Sequence, residues 1–123
     1  MNRDRTAAAT VLALRVGYGA ALIAAPERLA RRWLGPDASR APAQVPLRAL
    51  GMREVLIHAG GLAAVLGGGA VRPWLGASIA GDLTDIAATV AGRSELPEGA
   101  AAATAVVAGI SALLSAAVAV RQP

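Results

Sequence analysis

Apolar runs broken by proline, glycine and arginine organise this chain. From Gly99 to Val120 it reads GAAAATAVVAGISALLSAAVAV, with no charged residue. That run exceeds the length of about 18 apolar residues expected of a membrane-spanning helix. Three further runs are of similar length, so the predicted spans are 6–25, 45–66, 73–92 and 99–120. Pro26 stops the first, GGGAVRP ends the second, Pro73 suits the first turn of the third, and RSELPEG links the third to the fourth. Short links place neighbouring helices antiparallel. The expected fold is therefore all-α: one four-helix, up-down-up-down transmembrane bundle over residues 1–123. The connection PERLARRWLGPDASRAPAQVP, with four prolines and four arginines, follows the first span. Leu29 and Trp33 share a helical face there, with Arg28, Arg31 and Arg32 around the rest of the turn. This predicts a short helix in the headgroup layer, anchored by Trp33.

Composition alone leaves a soluble Ala-rich bundle and a membrane bundle open, and the length of the uncharged run decides for lipid. Of 123 residues, 55% are apolar, yet there are only two Trp, one Tyr and no Phe, and mean hydropathy is +0.52. A soluble core would carry more aromatic mass, whereas Ala, Gly, Val and Leu let helices approach closely in a bilayer. Gly60/Ala64, Ala77/Gly81 and Ala105/Gly109 are the small-residue pairs expected at such crossings. All twelve basic residues are Arg and the net charge is +4. No long basic run or RNA-type aromatic motif accompanies them, so no nucleic-acid partner is expected. Membrane lipid is the expected partner, with the surplus arginines at its headgroups. Lysine-free, alanine-rich usage points to a biased genome, and a bacterial cytoplasmic membrane is the expected location. Without cysteine there is neither a disulfide framework nor thiol chemistry. The N-terminal MNRDRTAAATVLALRVG resembles a signal peptide, but Arg15 interrupts its apolar part, so it is expected to remain as the first helix. Arg3, Arg5, Arg72 and Arg121 on one side balance Arg28, Arg31, Arg32, Arg40 and Arg93 on the other, which leaves orientation open.

Against this background, LRALGMREVLIHAGG (Leu47 to Gly61) stands out. Helix one carries Arg15, helix two Arg53, Glu54 and His58, and helix three Asp82 and Asp85. Facing lipid singly, five such charges would cost on the order of 15 kcal/mol, so they are expected to face inward and pair. A rise of about 1.5 Å per residue, with alternating helix directions, puts all six within a slab about 10 Å thick. Glu54 and His58 are stacked one turn apart. Ser78, Asp82, Asp85 and Thr89 form a polar stripe matched by Thr104, Ser111 and Ser115, and Tyr18 can share the face of Arg15. With Arg48 nearer the surface, positive and negative charges balance. The expectation is a closed polar chamber opening beneath the arginine-rich connection.

Arg15, APERLARRWLGP, LRALGMREVLIHAGG and GDLTDIAATVAG together resemble a family of small four-helix membrane proteins defined as a domain of unknown function. The resemblance covers nearly the whole chain. It implies a four-helix membrane fold and marks Arg15, Arg53, Glu54, Asp82 and Asp85 as pattern positions, without implying an activity. Small multidrug transporters are similar in size and span number, but they rely on an acidic residue in the first helix, where this chain has Arg15.

Three functions suit the polar chamber. In the first, Asp82 and Asp85 form an acid–base pair oriented by Arg53 or Arg15, with Tyr18 or His58 relaying protons. Such an enzyme would hydrolyse, cyclise or isomerise a lipophilic small molecule, as Asp-Arg-Asp sets do in limonene-epoxide hydrolases on an unrelated fold. In the second, the same acids couple protons to transport, which requires a homodimer or a partner protein, because four helices are too few for a solute path in one chain. In the third, the charges are structural and specify helix register. No cofactor or metal is expected: His58 has no second His or Cys beside it, and GGLAAVLGGG lacks the Lys and Ser or Thr of a phosphate loop.

Overall fold

The computed structural model describes residues 1–123 and is all-helical. Helix α1 spans Arg3–Ala24, α2 Pro26–Leu34, α3 Ala41–Leu66, α4 Arg72–Ala91 and α5 Ala100–Ala119. Short 3-10 turns occupy Gly35–Ser39 and Arg93–Glu95. Helices α1, α3 and α5 are long and apolar enough to cross a membrane. Helix α4, the one that carries both aspartates, falls outside that group.

Local chemistry sets the helix ends. The Asn2 side chain accepts from the Arg5 backbone N–H at 2.9 Å and opens α1. Pro26, Pro42 and Pro73 lie in the first turns of α2, α3 and α4, where no N–H is needed. Helix α3 begins four residues before the expected Val45, because its first turn admits Pro42 and its second tolerates Pro46. Gly68, at φ +76°, adopts the left-handed geometry that lets Gly69 donate back to the Ala64 carbonyl at 2.8 Å and close α3.

Arginines finish the carboxyl ends. Arg5 donates to the carbonyls of Ala64 and Val65 at the end of α3, at 3.1 and 2.7 Å. Arg48 reaches the Ile23 carbonyl of α1 at 3.2 Å, Arg93 that of Val90 in α4 at 3.1 Å, and Arg72 that of Ala119 in α5 at 3.3 Å. Each long helix thus has a guanidinium at the negative end of its dipole, satisfying carbonyls that lack an intrahelical partner.

The four long helices touch one another around a shared interior. Along α1 and α3, Arg5 meets Val65, Leu12 meets Gly61, Gly19 meets Gly51 and Ile23 meets Arg48. His58 on α3 meets Ser78 on α4, Ser78 faces Ser115 on α5, and Arg15 on α1 meets Ser111 on α5. Backbone meets backbone at Gly19 and Gly51, where a Cβ on either would lie 2.7 Å from the other's carbonyl oxygen. Gly60 and Gly61 accommodate Trp74, whereas Gly109 has nothing within 4 Å, so the Ala105/Gly109 crossing expected from small-residue spacing is not made.

Buried positions recur at alternating intervals of three and four, as in Leu47, Gly51, Glu54, His58, Gly61 and Val65 of α3. That spacing fits helices crossing at shallow angles. Two apolar clusters sandwich the polar layer: Ala8, Leu12, Val65, Val71 and Leu75 at one end, and Leu22, Ala30, Ala38 and Leu47 at the other. Trp33 packs onto the second cluster from α2 and is partly buried there. Outside, Leu14, Leu56, Leu83, Ile110, Leu113 and Leu114 are exposed while Glu54, His58 and Asp82 are buried. Soluble proteins show the opposite pattern; lipid is the solvent that suits this one.

Candidate functional site: an ionic ladder between two helix pairs

Helix α1 packs along α3, and α4 along α5. Charged residues cross the thinner seam between these two pairs. Arg15 of α1 clamps Asp82 of α4 through Nη2 to Oδ1 at 2.9 Å and Nη1 to Oδ2 at 3.1 Å. Its Nε and Nη2 also hold Glu54 Oε2, at 2.8 and 2.7 Å, and Nη1 donates to the Ser111 hydroxyl of α5. Arg53 of α3 clamps Asp85 of α4 through Nη2 to Oδ2 at 2.7 Å and Nη1 to Oδ1 at 3.0 Å. It touches Glu54 Oε1 at 3.3 Å. The result is an unbroken series, Asp82–Arg15–Glu54–Arg53–Asp85.

Local structure explains these placements. Buried intervals of three and four align Leu12, Arg15, Gly19 and Leu22 on the inner side of α1, so Arg15 follows the apolar end of the stripe into the polar layer. Gly81 presents bare backbone to the Arg53 guanidinium: a Cβ there would lie 3.4 Å from Cζ. The flat face of Arg53 therefore lies against α4, and its buried Nε has no acceptor.

His58 is fully buried next to this series. Its Nδ1 is 2.6 Å from the Glu54 carbonyl oxygen and therefore donates, while Nε2 lies 2.8 Å from the Ser78 hydroxyl. His58 Nδ1 is also 3.5 Å from Glu54 Oε2. Ser78 continues to Ser115 on α5 at 3.5 Å. The polar stripes on α4 and α5 thus meet directly at Ser78 and Ser115, whereas Thr104 donates to the Ala100 carbonyl of its own helix and Ser111 accepts from Arg15.

Of the expected site residues, Arg15, Arg53, Glu54, His58, Asp82 and Asp85 come together. Tyr18 stands at the rim, 47% exposed and without a hydrogen bond to the series. Asp82 and Asp85 do not share a site; each is clamped by a different arginine. Arg48 lies outside, donating to the Ile23 carbonyl and to Gln44, so the expected balance of three positive and three negative charges becomes two against three. The side chains meet directly instead of lining an enclosed chamber. Two surface concavities lie along the α2–α3 connection, at Glu27, Arg31, Gly35, Pro36 and Ser39 and at Asp37, Arg40, Pro42 and Ala43, and neither includes a member of the series.

Burial is uneven along the ladder. The Glu54 and Asp82 side chains are 3% and 4% exposed and that of Arg15 is 15% exposed, while those of Arg53 and Asp85 are both 30% exposed. Chemically, the inner part is a saturated clamp and the outer pair is an acid held beside a cation at an accessible edge. No family model, curated protein or solved structure matches the chain, so the chemistry of the site is read from its own geometry.

Proposed function

We propose that this chain is an integral protein of a bacterial cytoplasmic membrane, crossing the bilayer four times as an up-down-up-down bundle. Its ionic ladder is an acid–base site for a lipophilic small molecule that arrives laterally from the bilayer. The observation carrying this reading is the exposure gradient: a purely structural clamp has no need of an outer Arg–Asp pair ten times more exposed than its inner acid.

In this reading Arg15, Glu54 and Asp82 hold the two helix pairs together. Asp85 moves the proton, Arg53 orients it, and Tyr18 flanks the approach. His58 and Ser78 fix the Glu54 turn from behind. One mobile proton at a partly desolvated carboxyl suits hydrolysis, cyclisation or isomerisation. The test is to incubate purified protein with lipid extract from its native membrane and follow consumed and formed species by mass spectrometry. Wild type converts a component, and Asp85→Asn, with an unchanged melting profile, does so at least about 100-fold more slowly. Equal conversion by both proteins would remove Asp85 from the chemistry.

A second reading, proton-coupled transport by a homodimer, is favoured by the placement of charge. Both arginines lie on α1 and α3 and both aspartates on α4, so protonating the aspartates would loosen one helix pair from the other. Sealed proteoliposomes that move a compound without changing its mass would establish this reading over the enzymatic one.

A further inference from the structure

His58 lies beside the ladder, fully buried where α3, α4 and α5 meet. No hydrogen bond joins it to Asp82 or Asp85, so it is not placed to relay protons to them. Its two bonds run instead to the Glu54 carbonyl oxygen, 2.6 Å from Nδ1, and to the Ser78 hydroxyl, 2.8 Å from Nε2. A buried histidine is locked neutral when one ring nitrogen faces an apolar wall or a group that only donates, because a second N–H then lacks an acceptor. Neither condition holds here.

The Glu54 carbonyl accepts in every state and fixes the resting hydrogen on Nδ1. The Ser78 hydroxyl donates or accepts by turning about its own bond. Behind it stands Ser115, its hydroxyl 3.5 Å away and equally free to turn. With His58 neutral, Ser115 donates to Ser78 and Ser78 donates to Nε2. When a proton from solvent reaches Nε2, the series reverses: Nε2 donates to Ser78, Ser78 to Ser115, and Ser115 turns its hydrogen to a carbonyl of its own helix. The heavy atoms keep their places. The surrounding charges also suit the protonated form. Glu54 Oε2 lies 3.5 Å from Nδ1, Arg15 of α1 holds that same oxygen, Asp82 of α4 lies beyond Arg15, and α5 presents only hydroxyls. An imidazolium gives the layer three positive charges for its three carboxylates.

We propose that His58, backed by Ser78 and Ser115, is a second proton-binding site: a buried imidazole that takes up and returns a proton by reversal of the serine series while the helices stay packed. The interior thereby alternates between one net negative charge and none. This requires neither chemistry at Asp85 nor a second copy of the chain, so its failure leaves the readings above untouched.

The chain has one histidine, so nitrogen-15 spectra of histidine-labelled protein in bilayers report on His58 alone. They distinguish the two neutral tautomers from the imidazolium. Spectra would be taken from about pH 8 to about pH 4. A neutral ring with hydrogen on Nδ1 is expected at the upper end, converting to imidazolium and back with helix content unchanged. Ser78→Ala removes the acceptor for the second N–H. At the pH of half-protonation in wild type, its ratio of charged to neutral ring should be lower by about tenfold or more. Ser115→Ala removes only the far end and should lower the ratio by about threefold; it supplies the comparison if Ser78→Ala fails to fold. Thr84→Ala, which removes an exposed α4 hydroxyl bonded to the Ala80 carbonyl, should leave it unchanged. A ring that stays neutral until the fold is lost, a resting hydrogen on Nε2, or a titration that neither serine variant moves would overturn the proposal.

Discussion

Arg15 grips Asp82 from 67 positions away in the chain, placing two guanidinium nitrogens on two carboxylate oxygens at 2.9 and 3.1 Å. This is the innermost tie between the α1/α3 and α4/α5 pairs, and bidentate charge-assisted bonds are the strongest side-chain contacts available to it. Removing one partner leaves the other buried and uncompensated. Asp82→Asn should therefore destabilise the bundle by about 3–5 kcal/mol. Arg15→Leu combined with Asp82→Leu should cost less than the two single leucine changes added together, although Glu54, which Arg15 also holds, is then left with Arg53 alone. Chemical denaturation of the single and double variants in one detergent measures this. A double variant at the sum of the two singles would show that the residues act independently.

Asp85 makes the same bidentate contact with Arg53, but at 30% exposure. Partial solvation already weakens such a pair, so Asp85→Asn should cost about 1 kcal/mol or less. The contrast between two aspartates one turn apart on α4 separates a holding residue from a working one. Equal, large losses at both positions would make the whole ladder structural.

Gly19 and Gly51 bring the α1 and α3 backbones together, and a methyl on either would lie 2.7 Å from the opposite carbonyl oxygen. Neither backbone can yield without parting the helices, so Gly19→Ala should destabilise by about 1–3 kcal/mol. Gly109→Ala meets open space and should instead raise stability by up to about 1 kcal/mol through helix propensity. The opposite signs can be read from paired thermal melts.

The difference between those glycines shows how far the sequence could be read. Small residues four apart within one helix predict a capable face, but the crossing used here takes one glycine from each of two helices. Which pair meets depends on helix rotation, which composition leaves open. The ladder was more legible, because a lone charge in an apolar run has few tolerable positions. Depth from helical rise brought Arg15, Arg53, Glu54, His58, Asp82 and Asp85 into one layer, but left open which arginine holds which acid. Arg48 was misjudged because nothing in its spacing reveals that the end of α1 passes close enough to offer the Ile23 carbonyl. The cluster on which Trp33 packs was hidden for a similar reason, since Leu22, Ala30, Ala38 and Leu47 come from separate elements that converge only after folding.

Arg5 is the clearest of the carbonyl-capping arginines, donating to Ala64 and Val65 beyond the point where α3 can satisfy them. Arg5→Ala should leave the ladder intact and fray the last turn of α3, at a cost of about 1 kcal/mol. Hydrogen exchange should rise over residues 62–69 and stay unchanged near Glu54. Faster exchange throughout α3 would mean that Arg5 anchors the helix as a whole.

Helix α4 decides whether the chain crosses the bilayer four times, since α1, α3 and α5 are apolar enough to do so without help. Its aspartates would be intolerable to lipid alone but are matched by Arg15 and Arg53 across the seam, so α4 should cross as a partner in the bundle. The cysteine-free chain allows single cysteines to be placed at Ser39, Ala70, Ser94 and Arg121, all exposed in the links and at the C-terminal end. Impermeant maleimide applied to sealed vesicles should label Ala70→Cys and Arg121→Cys to one extent, and Ser39→Cys and Ser94→Cys to the complementary extent. The comparison is made in a preparation whose Arg121→Cys labelling departs from one half, because equal insertion in both orientations would label all four positions alike. Equal labelling at positions 70 and 94, with 39 and 70 still complementary, would leave α4 on one side of the membrane and separate its acids from any site within the bilayer.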